Sequence, residues 1–313
     1  MEKIAVIGAG MVGRAWAIVF ARAGREVALY DTDAQALENA LVLIAGAAND
    51  LHREGLVDED AQAIVGRITA TTSLASALKG AAYAQENAPE SLDIKRALFS
   101  AMDAVAPPET VFGSSTSGIC ASQFSDHLKG RARCLVAHPV NPPSVVPLVE
   151  LAPAPWTDPA AVEKVRALME AVGQQPITVL KEIDGFILNR LQGALLNEAM
   201  RLIADGYVTT EDLDKTVKHG LGLRWSFMGP METIDLNAPD GVPDYATRYG
   251  PIYHQVAQEA DARPWDDKLF GQAAKDRRAT LPMERHVERQ QWRDRRLMAL
   301  ARHKKEVAER LGD

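Results

Sequence analysis

A glycine-rich turn near the start of the chain constrains the fold more than any other feature of the sequence. Residues 8–13 follow the pattern G-x-G-x-x-G, with Gly8, Gly10 and Gly13 directly after the apolar run Ile4–Ile7. In this pattern the first glycine makes a tight turn, the second lets the backbone approach a pyrophosphate, and the third lets a helix pack against a sheet. The pyrophosphate would sit at the helix N-terminus, where free N–H groups favour an anion. The motif therefore predicts a strand–helix–strand unit that binds a dinucleotide.

The next apolar run, Val27–Tyr30, ends at an acidic residue that indicates which dinucleotide is bound. Asp31 lies 18 residues after Gly13, close to the spacing of about 20 at which a carboxylate binds the adenosine ribose hydroxyls. A carboxylate at this position would repel the 2′-phosphate of NADP, and the following residues, Thr32 and Asp33, supply no arginine to bind one. The sequence therefore predicts NAD as the cofactor.

Strand-like and helix-like segments alternate over roughly the first 180 positions, as in a parallel sheet covered by helices on both faces. The predicted strands are Ile4–Ile7, Val27–Tyr30, Val111–Gly113, Leu135–Ala137 and Val146–Leu151, and the predicted helices include Ala15–Ala23 and Asp33–Leu51. From residue 184 onward, apolar residues recur at helical spacing and no strand is apparent. We therefore predict an α/β fold, with a Rossmann-type NAD-binding domain and a mostly parallel sheet over residues 1–183, followed by an all-α domain over residues 184–313.

Composition and charge exclude several classes of protein. The net charge is −7, and the stretch from Lys275 onward carries five more basic than acidic residues, so the rest of the chain is strongly acidic. Such a surface argues against nucleic-acid binding. No stretch approaches the roughly 18–20 apolar residues of a membrane span, and Cys120 and Cys134 are too few for a disulfide framework or the usual zinc spacings. The first residues run directly into a strand and leave no room for a signal peptide. These features predict a cytoplasmic protein without nucleic-acid, membrane or metal partners.

A histidine and a glutamate carry the predicted chemistry. His138 follows the apolar run Leu135–Ala137, and Glu150 closes the next apolar run, twelve residues later. Removing a hydride from a secondary alcohol requires a base that takes the hydroxyl proton, and histidine titrates in the appropriate range. A carboxylate behind the imidazole fixes its tautomer and stabilises the imidazolium that forms. The pair is therefore predicted to oxidise a hydroxyl group next to the dinucleotide.

At these residues the sequence resembles the L-3-hydroxyacyl-CoA dehydrogenase superfamily. That family combines a Rossmann domain with an N-T-S type loop, here residues 114–117, and with an H-x-x-N-P motif, here at His138. It also has a glutamate twelve positions after the histidine and a G-F-x-x-N-R motif, here Gly185–Arg190, that opens a helical domain. The resemblance implies that His138 is the general base and Glu150 its partner, and that the helical domain binds substrate and forms a homodimer.

The same resemblance extends the set of site residues. It implies that Ser117 and Asn141 lie near the substrate and the nicotinamide, that Asn189 reaches the site from the second domain, and that Glu90 and Lys95 touch the cofactor. The predicted catalytic residues are His138, Glu150, Ser117 and Asn189. The predicted cofactor-binding residues are Gly8, Gly10, Met11, Val12, Gly13, Asp31, Glu90, Lys95, Ser117 and Asn141. The predicted substrate-binding residues are Ser117, Asn141, Asn189 and Arg224.

Three longer stretches resemble one branch in particular, the lambda-crystallin or L-gulonate 3-dehydrogenase group. They are His138–Glu150 and residues 220–233 and 291–294. This resemblance implies oxidation of L-gulonate at C3 to 3-dehydro-L-gulonate by a dimeric enzyme. The carboxylate of a sugar acid suits an arginine fork, and Arg224 is the predicted clamp, with Arg248 as the second choice.

Other functions remain open at this stage. A short-chain 3-hydroxyacyl-CoA dehydrogenase, acting on 3-hydroxybutyryl-CoA, must hold several phosphates. The segment after the second strand, residues 31–63, is mostly acidic in its charged positions and offers His52 and Arg53, so it would repel a polyphosphate. A carnitine 3-dehydrogenase would need an aromatic cage for a quaternary ammonium group. A non-catalytic, crystallin-like structural protein is a further alternative.

Overall fold

The computed structural model describes residues 2–312, which form two compact units. The first unit contains the chain as far as Arg190 together with Arg295–His303. The second contains Leu191–Asp294 and the chain from Lys304 onward. In this described part of the chain, every helix is either too short or too polar to cross a membrane.

One eight-stranded sheet is the framework of the first unit. Its strands are β1 (Lys3–Ile7), β2 (Glu26–Tyr30), β3 (Ile68–Thr71), β4 (Ala81–Glu86), β5 (Val111–Ser114), β6 (Cys134–Pro139), β7 (Leu148–Pro153) and β8 (Gln175–Thr178). Their spatial order is 3-2-1-4-5-6-7-8. All neighbouring strands are parallel except β6 and β7, which are antiparallel. The predicted α/β fold with a mostly parallel sheet is confirmed.

Helices cover both faces of this sheet. They are α1 (Met11–Arg22), α2 (Ala34–Arg53), α3 (Ala61–Val65), α4 (Leu74–Leu78), α5 (Leu92–Val105), α6 (Ala121–Ser125) and α7 (Pro159–Ala171). Side chains of β1 alternate between two cores: Ile4 packs in one cluster with Trp16, and Ile7 packs in the other with Phe99. A strand buried on both faces has a continuous apolar sequence, which is why β1 and β2 are recognisable from sequence alone.

The criterion of an apolar run misses three strands. β3 reads I-T-A-T, β8 contains Pro176, and β4 ends in Gln85 and Glu86, which are fully buried polar residues. The strand predicted at Val146–Leu151 begins two residues later, at Leu148, because the N–H of Val146 is used in a turn that closes on the carbonyl of Pro142.

Helices make up the second unit, and no strand occurs among its described residues. The helices are α8 (Leu188–Ala204), α9 (Thr210–Thr216), α10 (Gly222–Trp225), α11 (Pro230–Leu236), α12 (Gly241–Glu259), α13 (Asp267–Thr280) and α14 (His286–Leu311), with a π-helical turn at Val217–Leu221 and a 3₁₀ turn at Met283–Arg285. A further 3₁₀ turn, Arg131–Arg133, precedes β6 in the first unit. The predicted helical C-terminal part is confirmed. The middle of α14 belongs to the first unit, where Met298 is buried in the cluster that contains Trp16.

Candidate active site

The carboxyl ends of β1, β4, β5 and β6 meet at one edge of the sheet, because these four neighbouring strands are parallel. The strand order reverses between β1 and β4, and ligands of such sheets bind in the crevice at this switch point. Predicted site residues follow or end these strands: Gly8 after β1, Glu90 after β4, Ser117 after β5 and His138 near the end of β6. The topology therefore brings the predicted cofactor and catalytic residues to one edge.

The glycine turn has the shape that a dinucleotide requires. Gly8 has a φ of +99°, which favours glycine. A Cβ on Gly13 would overlap the carbonyl oxygen of Gly8, whereas a Cβ on Gly10 would meet no atom within 4 Å. Gly10 therefore borders open space at the N-terminus of α1, where Met11 and Val12 form the first turn. This opening is where a pyrophosphate would approach the free N–H groups.

Asp31 is held against the glycine turn at the end of β2. Its Oδ2 accepts a hydrogen bond of 2.9 Å from the N–H of Ala9, and its Oδ1 accepts one of 3.2 Å from the N–H of Asp33. A carboxylate has about four lone-pair sites, so the group retains acceptors for two ribose hydroxyls. The donor and acceptor set at this turn therefore fits NAD.

His138 and Glu150 face each other across the antiparallel pair β6 and β7. They are direct register partners, and Nδ1 of His138 lies 2.8 Å from Oε2 of Glu150. Both are buried, and Glu150 has no exposed surface. The twelve-residue spacing in the sequence is thus the length of chain needed to leave one strand, turn and return to the facing position on the next.

The second oxygen of Glu150 binds the start of a helix. Oε1 accepts hydrogen bonds of 2.9 Å from the N–H groups of Ile187 and Leu188, where α8 begins. Burial alone would raise the pKa of Glu150, but the bonds from His138 and from these two N–H groups outweigh it and lower the pKa below its usual value. The carboxylate is therefore charged, and His138 must donate to it from Nδ1.

Phe186 is a site residue that the sequence does not single out. Its φ of +49° lies in the left-handed region, which costs a residue other than glycine about 1–3 kcal/mol. The buried ring packs against His138, with 5.5 Å between ring centroids. This conformation also directs the next two N–H groups toward Glu150. The G-F pair of the G-F-x-x-N-R motif was a signal, but its backbone conformation could not be read from residue types.

A second group of predicted residues surrounds the loop after β5. The side-chain amide of Asn189 donates a 2.8 Å hydrogen bond to the carbonyl of Ser117. The N–H of Ser117 donates to Oε1 of Glu90 at 3.0 Å. Lys95 is buried behind this loop, and its ammonium group pairs with Glu86 and Glu90. In this structure Lys95 reaches the cofactor-binding edge through Glu90, and its direct contact with the cofactor stays a prediction.

Three further predicted residues, Asn141, Arg224 and Arg248, make no contact with His138, Glu150 or Ser117 among the hydrogen bonds and ion pairs of the described residues. The amide of the exposed Asn141 reaches the sulfur of Met11 at 3.2 Å, which joins the H-x-x-N-P loop to the first turn of α1. Arg224 lies on α10 in the second unit, with an exposed side chain. Arg248 pairs at 2.6 Å with Asp244 on the same helix. Their roles as substrate clamps stay predictions.

Among the described residues, the histidine, cysteine and acidic side chains form no cluster of three suited to a metal ion. Both cysteines are buried, and neither forms a disulfide. Burial raises the pKa of Cys120 to about 11 and that of Cys134 to about 12, so neither is a reactive thiolate at neutral pH.

Family profiles and known proteins match nearly the whole chain. The profile of the 3-hydroxyacyl-CoA dehydrogenase NAD-binding domain matches residues 3–183, and that of the 3-hydroxyacyl-CoA dehydrogenase C-terminal domain matches residues 185–281. The chain is 38% identical to lambda-crystallin of Oryctolagus cuniculus, with 97% of each chain covered. These matches confirm the resemblance on which the residue assignments rest, and they confirm NAD as the cofactor.

Two further relatives are dehydrogenases. The chain is 39% identical to an L-carnitine dehydrogenase of Streptomyces coelicolor, with 86% of this chain and 84% of the relative covered. It also superposes on the crystal structure of 5-formyl-3-hydroxy-2-methylpyridine 4-carboxylic acid 5-dehydrogenase, an NAD⁺-dependent dismutase, with a TM-score of 0.83. Their identity is 27%, and the match covers 96% of this chain and 98% of that one.

Replacing two glycines of the turn separates cofactor binding from folding. For Gly10→Ala we expect an unchanged unfolding midpoint and an NADH affinity about tenfold weaker, because the methyl group enters the space needed by the pyrophosphate. For Gly13→Ala we expect the free energy of unfolding to fall by about 1–3 kcal/mol, because the Cβ overlaps the Gly8 carbonyl. Calorimetry and NADH fluorescence titration measure both quantities. Equal losses of stability in the two variants would contradict this interpretation.

Proposed function

Because the chain belongs to the 3-hydroxyacyl-CoA dehydrogenase family, we propose that it oxidises the 3-hydroxyl group of a free hydroxy acid, with L-gulonate, converted to 3-dehydro-L-gulonate, as the leading substrate. The protein is an NAD-dependent oxidoreductase of CH–OH groups. The proposal rests mainly on the 2.8 Å contact between Nδ1 of His138 and the buried carboxylate of Glu150. This contact orients the imidazole as a base that can accept a hydroxyl proton.

The proton path follows from the tautomer of His138. With Nδ1–H donated to the charged carboxylate, Nε2 carries the free lone pair and takes the proton of the substrate hydroxyl. Glu150 then stabilises the imidazolium without moving. NAD, when bound, would supply the acceptor for the hydride that leaves the carbon bearing this hydroxyl. A positioned general base of this kind contributes about 10²–10⁴-fold to the rate.

Ser117 and Asn189 orient the substrate in this proposal. The Asn189 amide holds the backbone carbonyl of Ser117, and Glu90 holds its N–H. The exposed Ser117 hydroxyl is thereby presented from a fixed backbone at the edge of the sheet that also carries His138. Fixing a polar group in this way reduces the entropy lost when the substrate is oriented.

Two observations favour a free acid over a CoA thioester. The charged positions of residues 31–63 are mostly acidic, which opposes the binding of several phosphates. Two relatives act, by their names, on L-carnitine and on a pyridine carboxylic acid, and both compounds carry a free carboxylate; other solved relatives, at 30% identity or less, are 3-hydroxybutyryl-CoA dehydrogenases. An arginine fork is the usual partner of such a group, and we assign this role to Arg224.

L-Carnitine is the second candidate substrate. The L-carnitine dehydrogenase relative favours it, and so does a row of tyrosines on α12. The ring centroids of Tyr245 and Tyr249 lie 4.6 Å apart, those of Tyr245 and Tyr253 lie 6.3 Å apart, and the hydroxyls of the latter two are 2.7 Å apart. Aromatic faces of this kind attract a quaternary ammonium group.

We further propose that the protein is a homodimer in the cytoplasm. The second unit exposes large apolar side chains that a partner of the same kind would cover, since monomers rarely expose large apolar patches. Examples are Tyr207, Leu223, Phe227, Met231 and Leu236, each more than 60% exposed. Sedimentation equilibrium is expected to give twice the chain mass at micromolar concentration. A monomer at all concentrations would contradict the dimer.

One substrate panel tests the proposed function. The purified enzyme is assayed for NADH formation with L-gulonate, other aldonates, L-carnitine, 3-hydroxybutyrate and 3-hydroxybutyryl-CoA. We expect the highest kcat/KM for L-gulonate, because the chain is similar in length and sequence to the lambda-crystallin group, and because 3-hydroxybutyrate and L-carnitine share its 3-hydroxyl group and free carboxylate but lack its further hydroxyls. A preference for L-carnitine would select the second candidate, and turnover of the thioester alone would overturn the assignment of a free acid.

The variant Arg224→Met is measured in the same assay of NADH formation. Losing a charge-assisted hydrogen bond costs about 1.5–3 kcal/mol, so the KM for the free acid is expected to rise about 10–100-fold while kcat changes little. Arg248→Met is the matched comparison, because the Arg248 guanidinium already pairs with Asp244. If the KM for the free acid is unchanged in Arg224→Met, or rises only in Arg248→Met, Arg224 does not bind the substrate carboxylate.

A further inference from the structure

A buried ion pair lies behind the loop that carries Ser117. The ammonium group of Lys95 on α5 is 3.0 Å from each carboxylate oxygen of Glu86, the last residue of β4. The side chain of Lys95 is 1% exposed and that of Glu86 is fully buried. No step of the proposed proton path uses these two contacts.

The carboxylate of Glu86 also accepts hydrogen bonds from residues outside α5. Its Oε2 accepts a hydrogen bond of 2.5 Å from the hydroxyl of Ser114 at the end of β5, and its Oε1 accepts one of 2.6 Å from the N–H of Ala88. Ser114 Oγ in turn accepts a 3.2 Å bond from the N–H of Thr116. One carboxylate therefore connects the ends of β4 and β5 with α5, immediately below the loop.

Glu90 bridges this buried pair to the loop itself. Its Oε2 lies 3.6 Å from the Lys95 ammonium, while its Oε1 accepts from the Thr116 hydroxyl at 2.5 Å and from the N–H groups of Ser117 and Gly118 at 3.0 and 3.2 Å. Partial burial would raise the pKa of Glu90, but the bond from Thr116, the charge of Lys95 and the two N–H bonds lower it overall. The carboxylate is therefore charged and fixes the backbone of the loop.

The ammonium group thus lies between two carboxylates, at unequal distances. An uncompensated buried charge is strongly destabilising and draws in any available counter-charge. With Glu86 ionised, Lys95 is compensated in the interior and Glu90 stays with the loop. If Glu86 were uncharged, Glu90 would be the nearest carboxylate, and closing its 3.6 Å separation from Lys95 would pull its oxygens away from the N–H groups of Ser117 and Gly118.

We propose that Glu86 is a positioning residue for the reaction: by holding the Lys95 ammonium in the interior, it leaves Glu90 free to fix the loop that presents Ser117. The role of Glu86 in catalysis rests on the proposed function, because Glu86 affects the reaction only by fixing the position of Ser117. The ordering of the loop does not, since it is a property of the cofactor-free protein.

The test compares two variants that break the same ion pair but leave opposite charges. Glu86→Gln leaves a buried cation without its counter-charge, whereas Lys95→Met leaves a buried carboxylate that still accepts hydrogen bonds from Ser114 and Ala88. Asp93→Asn makes the same carboxylate-to-amide change at an exposed position in the first turn of α5 and serves as the control. Hydrogen exchange of the 114–119 segment is measured in cofactor-free protein, together with the unfolding midpoint and with kcat and KM on the best substrate.

We expect both pair-breaking variants to lower the unfolding midpoint, but only Glu86→Gln to speed exchange of the Ser117 and Gly118 amides, by about tenfold. Its kcat is expected to fall by about tenfold as well, and adding Lys95→Met to it is expected to restore loop protection. Asp93→Asn is expected to leave loop exchange and kcat unchanged and to lower the unfolding midpoint only slightly, because it removes one negative charge from the N-terminal turn of α5.

Two results would overturn the proposal. One is a loop that stays protected in Glu86→Gln, and the other is a loop that loosens equally in Lys95→Met, which would make the pair merely structural. If Glu86→Gln alone does not fold, Lys95→Met and the double variant still decide between these cases. Failure of wild-type protein to oxidise any hydroxy acid would instead contradict the proposed function and leave the exchange result standing.

Discussion

The reversal of strand direction between β6 and β7 is the constraint on which the site depends. Parallel strands would not place His138 opposite a residue only twelve positions away, because a parallel connection needs a dozen or more residues of crossover. In the antiparallel pair the two residues are direct partners. A shift of register by one residue would turn Glu150 to the other face of the sheet and leave the imidazole without its acceptor.

The same carboxylate joins the sheet to the helix that follows. Glu150 accepts from Nδ1 of His138 on one oxygen and from the N–H groups of Ile187 and Leu188, at the start of α8, on the other, so both of its oxygens have protein donors. The left-handed turn at Gly185 and Phe186 is the conformation that points those N–H groups inward. The strain at Phe186 is offset by two charge-assisted hydrogen bonds and by packing against His138. The orientation of the base therefore depends on three segments: β6, β7 and the turn before α8.

Sequence reasoning succeeded where chemistry requires a particular residue type at a particular spacing. Gly8 and Gly13 are predictable because no side chain fits their turn, Gly10 because the space beside it must admit a pyrophosphate, and β1 because both of its faces are buried. It failed where polar residues are satisfied by partners distant in the chain. The strand β4 was missed because Glu86 has the sequence appearance of a surface residue, and its burial is possible only because Lys95 and Ser114 reach it from other elements.

The transfer of a hydroxyl proton to His138 is the central claim, and single-turnover kinetics of His138→Gln test it most directly. Glutamine keeps a hydrogen bond to Glu150 possible but cannot accept the proton, so hydride transfer is expected to slow by about 10²–10⁴-fold while the dissociation constant for NADH stays within about twofold. A slower rate with a larger primary deuterium isotope effect would place the loss in the chemical step. Hydride transfer within tenfold of wild type would contradict the account, because the proton would then leave by another route.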